Sequence, residues 1–211
     1  MTGDSVRHMS DELMQIEATP SGSILRRLPP WLRAKAGRWE RVHDMKVLLT
    51  GSRLHTVCEE ARCPNQGECW TRGTATFMLL GETCTRSCGF CAVATGRPAP
   101  PDPEEPRHVA EASHRLGLTF VVVTSVARDD LPDGGAGHFA ATVRAIRDAS
   151  PGTEVEVLVP DFKGDRGSIR TVVESRPTVF NHNLETVERL TRRVRIQARY
   201  QRSLAVLRTA K

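Results

Sequence analysis

All six cysteines of this 211-residue chain fall between Cys58 and Cys91, in two triplets. The first, CEEARCPNQGEC, spaces Cys58, Cys63 and Cys69 as C-x4-C-x5-C. The second, CTRSCGFC, spaces Cys84, Cys88 and Cys91 as C-x3-C-x2-C. Cysteines this concentrated act as sets, and thiolate chemistry offers three readings of them. Disulfides need an oxidising compartment, and the N-terminal MTGDSVRHMSDELMQIEATP lacks the apolar core of a secretory signal. Structural zinc takes four closed ligands, and neither triplet brings a fourth cysteine or a histidine at finger spacing. An iron–sulfur cubane on three cysteines leaves one iron open to another ligand. Two sets of three suit clusters better than zinc, which stays as the alternative.

The second triplet directly follows an apolar run at 74–80 that reads as a buried strand. A connection with five prolines, GRPAPPDPEEP, comes next, and then the pattern turns regular. The spacing predicts helix 104–116 and strand 119–126, helix 137–149 and strand 154–160, helix 167–175 and strand 178–183, then helical stretches at 185–194 and 200–210. Apolar runs alternating with amphipathic helices indicate an α/β fold with a parallel sheet and right-handed crossovers. Residues 1–24 are polar and patternless and read as a flexible leader. Residues 25–72 read as an N-terminal extension, helical from Leu25 to Leu54, and 73–211 as the core. Trp31, Trp39 and Trp70 are expected to pack rather than to bind a ligand.

The C-x3-C-x2-C spacing, with Phe90 just before the last cysteine and the loop at a strand's C-terminal end, resembles the radical S-adenosylmethionine (SAM) signature. HTVCEEARCPNQGECW followed by TATFMLLGETCTRSCGFC is similar to the lipoyl synthase family within that superfamily. VVVTSVARDDLPDGGAGHFA, EVLVPDFKGD and VFNHNLETV extend the resemblance from about residue 29 onward. The resemblance implies a partial (β/α) TIM-type barrel, of which about four βα units are present here. It also implies two 4Fe–4S clusters, an auxiliary sulfur-donating one on Cys58, Cys63 and Cys69 and a SAM-binding one on Cys84, Cys88 and Cys91. The implied reaction inserts two sulfurs at C6 and C8 of a protein-bound octanoyl-lysine, with a lipoyl-carrier domain and a low-potential electron donor as partners.

The same resemblance places Thr124, Ser125, Asn181, Asn183 and Glu185 at the SAM pocket. Asn181 and His182 are equally well read as the polar end of a capped strand. Arg128, Asp129 and Asp130 form a charged loop that orients a ligand or braces itself by ion pairs. His55 and Glu68 are expected to hydrogen-bond around the first triplet rather than to ligate. The family's barrel has six βα units and ends in an Arg-Ser-Ser-Tyr type motif whose serine ligates the auxiliary cluster. This sequence has no such motif, and Ser203 is not assigned that role. The chain is therefore expected to correspond to the N-terminal two-thirds of the family, with a non-catalytic cluster- or zinc-binding fragment as the alternative function.

The net charge of +5 is concentrated at the ends: seven arginines and Lys211 lie in 189–211, and Arg26, Arg27, Arg33, Lys35, Arg38, Arg41 and Lys46 form a second group. Nucleic-acid binding asks for interleaved aromatics, and these are only 5% of the chain. Solvated helix faces or contacts to an acidic protein substrate are expected instead, with no nucleic-acid partner. No run approaches the length of a membrane span, so a cytoplasmic location without membrane association is expected.

Overall fold

The computed structural model describes residues 39–52, 54–60 and 63–211. The expected leader, the proline-led start of the extension with Trp31, and the basic residues Arg26 to Arg38 lie outside the described residues.

The extension contributes helix α1 (Trp39–Ser52), strand β1 (His55–Thr56), and the short helices α2 (Val57–Glu60) and α3 (Gln66–Thr71). Strand β2 (Thr74–Leu79) follows, then the small strands β3 (Thr83–Cys84) and β4 (Ala94–Thr95), which pair in parallel around the second triplet. The alternating part runs α4 (Glu105–Arg115), β5 (Phe120–Ser125), α5 (Ala136–Ala149), β6 (Glu154–Leu158), α6 (Arg166–Glu174), β7 (Val179–Asn181), α7 (Glu188–Val194) and α8 (Tyr200–Ala210).

The main sheet has the order β1-β2-β5-β6-β7, with β2, β5, β6 and β7 all parallel. Four consecutive parallel strands with intervening helices and no closure make the partial TIM-type barrel expected from the sequence. The two-residue β1, antiparallel to β2 through His55↔Met78 and Thr56↔Phe77, was not foreseen. Alternate residues of β5 and β6 point to opposite faces. Val121, Val123, Val155 and Val157 are fully buried against the helices. Val122, Thr124, Glu154, Glu156 and Leu158 face the open interior and are partly or largely exposed. Strands that read as continuous apolar runs are therefore covered on one side only.

The helices complete the core with stripes at helical spacing. These are Met45 and Leu49 from α1, Val109 and Ala112 from α4, Phe139, Val143 and Ile146 from α5, Ile169 and Val172 from α6, and Val206 from α8. Each large side chain so buried contributes roughly 1.5–3 kcal/mol. Helix starts are set locally. Asp165 caps α6 by accepting from the Ser168 N–H at 2.6 Å, and Asp133 accepts from the Gly135 and Gly137 N–H groups ahead of and within α5. Gly135 turns the chain at φ +90°, a conformation that favours glycine, and a Cβ there would overlap Leu80 Cδ1 where the β5–α5 loop meets the end of β2.

Candidate metal centres

The second triplet sits beyond the C-terminal ends of the parallel strands. Cys84 closes β3, and its Sγ accepts from the Arg86 N–H at 3.4 Å and the Ala127 N–H at 3.3 Å. The Cys91 N–H donates to the Cys88 carbonyl, and the Gly89 N–H to Val194 O, beside a Cys88–Arg195 bridge. Cys84, Cys88 and Cys91 line one cavity of about 190 Å³ with Met78, Thr124, Ser125, Leu158, His182, Asn183, Glu185 and Arg195. Met78, Thr124 and Leu158 are one register row across β2, β5 and β6, so the sheet itself forms the floor.

The placements of the five expected SAM-pocket residues differ. Thr124 and Ser125 line the cavity, their hydroxyls donating to Leu158 O and Val126 O. Asn183 and Glu185 line it too, joined by an Nδ2···Oε1 hydrogen bond of 3.0 Å. Asn181 is level with Leu158 in the sheet, but its amide donates to Glu156 Oε1 at 2.8 Å and it stands outside the cavity lining. His182 is 6% exposed, its Nδ1 paired with Val159 O at 2.8 Å and its Nε2 buried without a partner. Burial holds its pKa below the ordinary imidazole value, with the Val159 hydrogen bond acting in the opposite sense.

A buried ion network lies beneath the cysteine loop. Arg86, within the C-x3-C-x2-C stretch, grips Asp129 through Nε and Nη2 at 2.6 and 2.7 Å and reaches Asp161 Oδ1 at 2.7 Å. Arg202 of α8 reaches the other oxygen of Asp161 at 3.2 Å. Burial opposes the charge on Arg86, but the two carboxylates outweigh it and hold the guanidinium more firmly protonated than usual. Burial likewise works against Asp161, yet Arg86, the Lys163 N–H and Arg202 bring its pKa below the ordinary carboxylate value. Arg128, also buried, pairs with Asp130 and donates to Leu80 O, bracing the same loop by ion pairing. The sequence reading missed Arg86, Asp161, Arg195 and Arg202. The available signal was a charged residue inside the cysteine spacing and another just past a strand end.

The first triplet is built on short helices. Cys58 lies buried on α2, Cys69 on α3, and Cys63 between them donates its N–H to Cys58 O at 3.0 Å. Trp70, 1% exposed, packs α3 into the core. Burial pushes the Cys69 thiol up, Cys58, Cys63 and Glu68 push it the same way, and Arg72 opposes them. Cys58 and Cys63 are thus close enough to Cys69 to disfavour its thiolate. His55 pairs with Glu60 at 3.5 Å and Glu68 with Arg72 at 2.6 Å. In the second triplet burial pushes the Cys88 thiol up, countered by Arg195 and reinforced by Cys91 and Cys84.

Each triplet offers three thiols, the donor set that a 4Fe–4S cubane takes with each thiolate on a different iron. The two N–H groups aimed at Cys84 Sγ supply the hydrogen bonding to sulfur that tunes such clusters.

Comparison with known proteins agrees with this chemistry. Residues 78–211 match the family model described as the radical SAM superfamily, and residues 3–63 match that of the N-terminal domain of lipoyl synthase. A lipoyl synthase of Rubrobacter xylanophilus is 61% identical over 183 residues, covering 87% of this chain and 57% of that protein. Those of Koribacter versatilis and Thermus thermophilus are 57% and 55% identical, covering 96% and 88% of this chain and 66% and 58% of theirs. The chain therefore spans about three-fifths of the length of these curated relatives.

Proposed function

The chain belongs to the radical SAM superfamily, which implies a 4Fe–4S cluster and SAM, and from that premise we propose that it acts as a lipoyl synthase. The reaction is insertion of two sulfurs at C6 and C8 of an octanoyl group on a lysine of a lipoyl-carrier domain. The observation that carries the reading is two intact cysteine triplets in one chain, one of them opening onto a cavity at the C-terminal ends of the parallel strands. Strong similarity to lipoyl synthases over both triplets supports it.

Cys84, Cys88 and Cys91 hold the SAM-binding cluster, and Cys58, Cys63 and Cys69 hold the auxiliary one. When bound, these groups supply reductive cleavage of SAM to a carbon radical that takes hydrogen from an unactivated chain, and the sulfur that replaces it. The protein's own part is placement. Cys84 keeps its sulfur under two backbone N–H groups. Thr124 and Ser125, their hydroxyl protons committed to backbone carbonyls, turn oxygen lone pairs toward a polar cosubstrate. Asn183 and Glu185 offer it an amide and a carboxylate at the rim. Met78, Val93 and Leu158 give the cavity an apolar side against which an alkyl chain can pack. The reading includes a cytoplasmic location and a low-potential electron donor; among the described residues no helix is long and apolar enough to cross a membrane.

The test is anaerobic reconstitution with iron and sulfide, followed by incubation with SAM, a strong reductant and an octanoyl-lysine peptide. The expected result is about eight irons per chain, formation of 5′-deoxyadenosine, and a peptide carrying two added sulfurs. Zinc in place of iron, or iron without SAM cleavage, overturns the enzymatic reading in favour of a non-catalytic metal-binding fragment.

A further inference from the structure

We propose that Arg86 is the positioning residue of the second cysteine loop, fixing the three thiols in the arrangement that receives the cluster by bridging Asp129 and Asp161. The inference rests on the reading of that loop as cluster-bearing. The loop has little structure of its own: between Cys84 and Cys91 the described backbone forms no strand or helix beyond the two-residue β3. Backbone bonds tie its ends to the fold, Thr85 N–H to Ala127 O and Gly89 N–H to Val194 O, and between them the hold comes through the Arg86 side chain. Arg86 is 7% exposed and ties the loop to two separate strand ends, Asp129 in the β5–α5 loop and Asp161 after β6.

The link from the guanidinium to the sulfur is short. The backbone N–H of Arg86 itself donates to Cys84 Sγ, and its carbonyl accepts from Thr95 Oγ1 at 3.2 Å. Fixing the side chain therefore aims an N–H at a ligand atom. Asp161 is held in turn by Arg202 and by the Lys163 N–H at 3.0 Å, so the anchor cannot swing away when the loop is empty.

A buried ion network is a poor way to gain stability, because desolvating its charges offsets most of their attraction. What an arginine fork adds over apolar packing is direction, since two parallel N–H···O bonds fix both distance and angle. Preassembly of the thiols is the property this geometry serves.

The experiment uses two variants of the whole 211-residue chain, each with only one triplet intact. One carries Cys58→Ala, Cys63→Ala and Cys69→Ala; the other carries Cys84→Ala, Cys88→Ala and Cys91→Ala. Each is loaded with iron and sulfide, with and without Arg86→Gln, and iron loss to a chelator is timed. Arg86→Gln is expected to speed loss from the second triplet by about 10- to 100-fold and to leave the first triplet's rate unchanged. Arg86→Lys, which keeps the charge but not the fork, is expected to fall between. Asp129→Asn, which removes the partly exposed half of the bridge, is expected to show the same selectivity with a smaller effect. Unchanged loss from the second triplet overturns the proposal. Equal acceleration at both triplets also overturns it, because it marks a general role in folding. A parent chain that takes up no iron at the second triplet overturns the cluster reading itself, an outcome distinct from either of these.

Discussion

The two cysteine triplets are close in sequence but are held by different physics. Bonds around the first are local: Thr56 with Glu59, His55 with Glu60, Glu68 with Arg72, all within five residues. Cys58 and Trp70 then bury that unit in the core. Around the second the bonds are long-range, joining Thr85 to Ala127, Arg86 to Asp129 and Asp161, and Gly89 to Val194. A locally assembled site needs its own short helices. A site assembled from strand ends exists only when the sheet beneath it is in register. Function and fold are therefore coupled more tightly at the second triplet.

The sharpest contrast comes from single cysteine substitutions in the loaded chain. Cys88→Ala is expected to reduce 5′-deoxyadenosine formation to background. Cys63→Ala is expected to leave that cleavage in place and abolish the sulfur-bearing peptide, as read by chromatography and mass spectrometry of one reaction mixture. Loss of both activities in both variants would erase the distinction between the two sites.

A second contrast uses glycines. Gly135 holds φ +90° against Leu80 just past the end of β2, the first parallel strand of the sheet that carries the second site, and Gly135→Ala is expected to cost about 1–3 kcal/mol in urea unfolding through backbone strain and overlap. Gly51, in α1 on the extension, faces open space, and a Cβ added there would meet nothing within 4 Å; Gly51→Ala is expected to stabilise by about 0.4–1 kcal/mol.

The third contrast is with pH. His182 has its folded pKa below the ordinary 6.5, so the unfolded chain takes the proton first as pH falls. Stability present above about pH 6.5 is lost as pH drops toward the folded value, and His182→Gln should flatten that slope in denaturation of the metal-free chain. The lowered pKa of Asp161 acts in a lower window, its contribution being complete above the ordinary 3.8 and lost below it.

Much of the fold was legible because its signals are periodic. The apolar runs that became β2, β5, β6 and β7 are separated by helices with glycine or proline at their ends, and cysteine spacing marked both triplets directly. The ion network was not legible, because Arg86 and Asp161 are 75 residues apart and charge pairing at that separation leaves no local pattern. Asn181 shows a finer limit. Its position in the row with Thr124 and Leu158 follows from strand register, but the direction of its amide is decided by Glu156, a neighbour across the sheet. The antiparallel β1 is two residues long, too short for any alternation to announce it.

That short strand makes the two margins of the sheet unequal. At one, β1 runs against the direction of the rest and blunts the edge, as very short edge strands do. At the other, β7 pairs only with β6 among the described residues and offers its outer N–H and C=O groups in the common direction. Growth of the sheet thus has a polarity. A further parallel strand would find its template at β7 and not at β1.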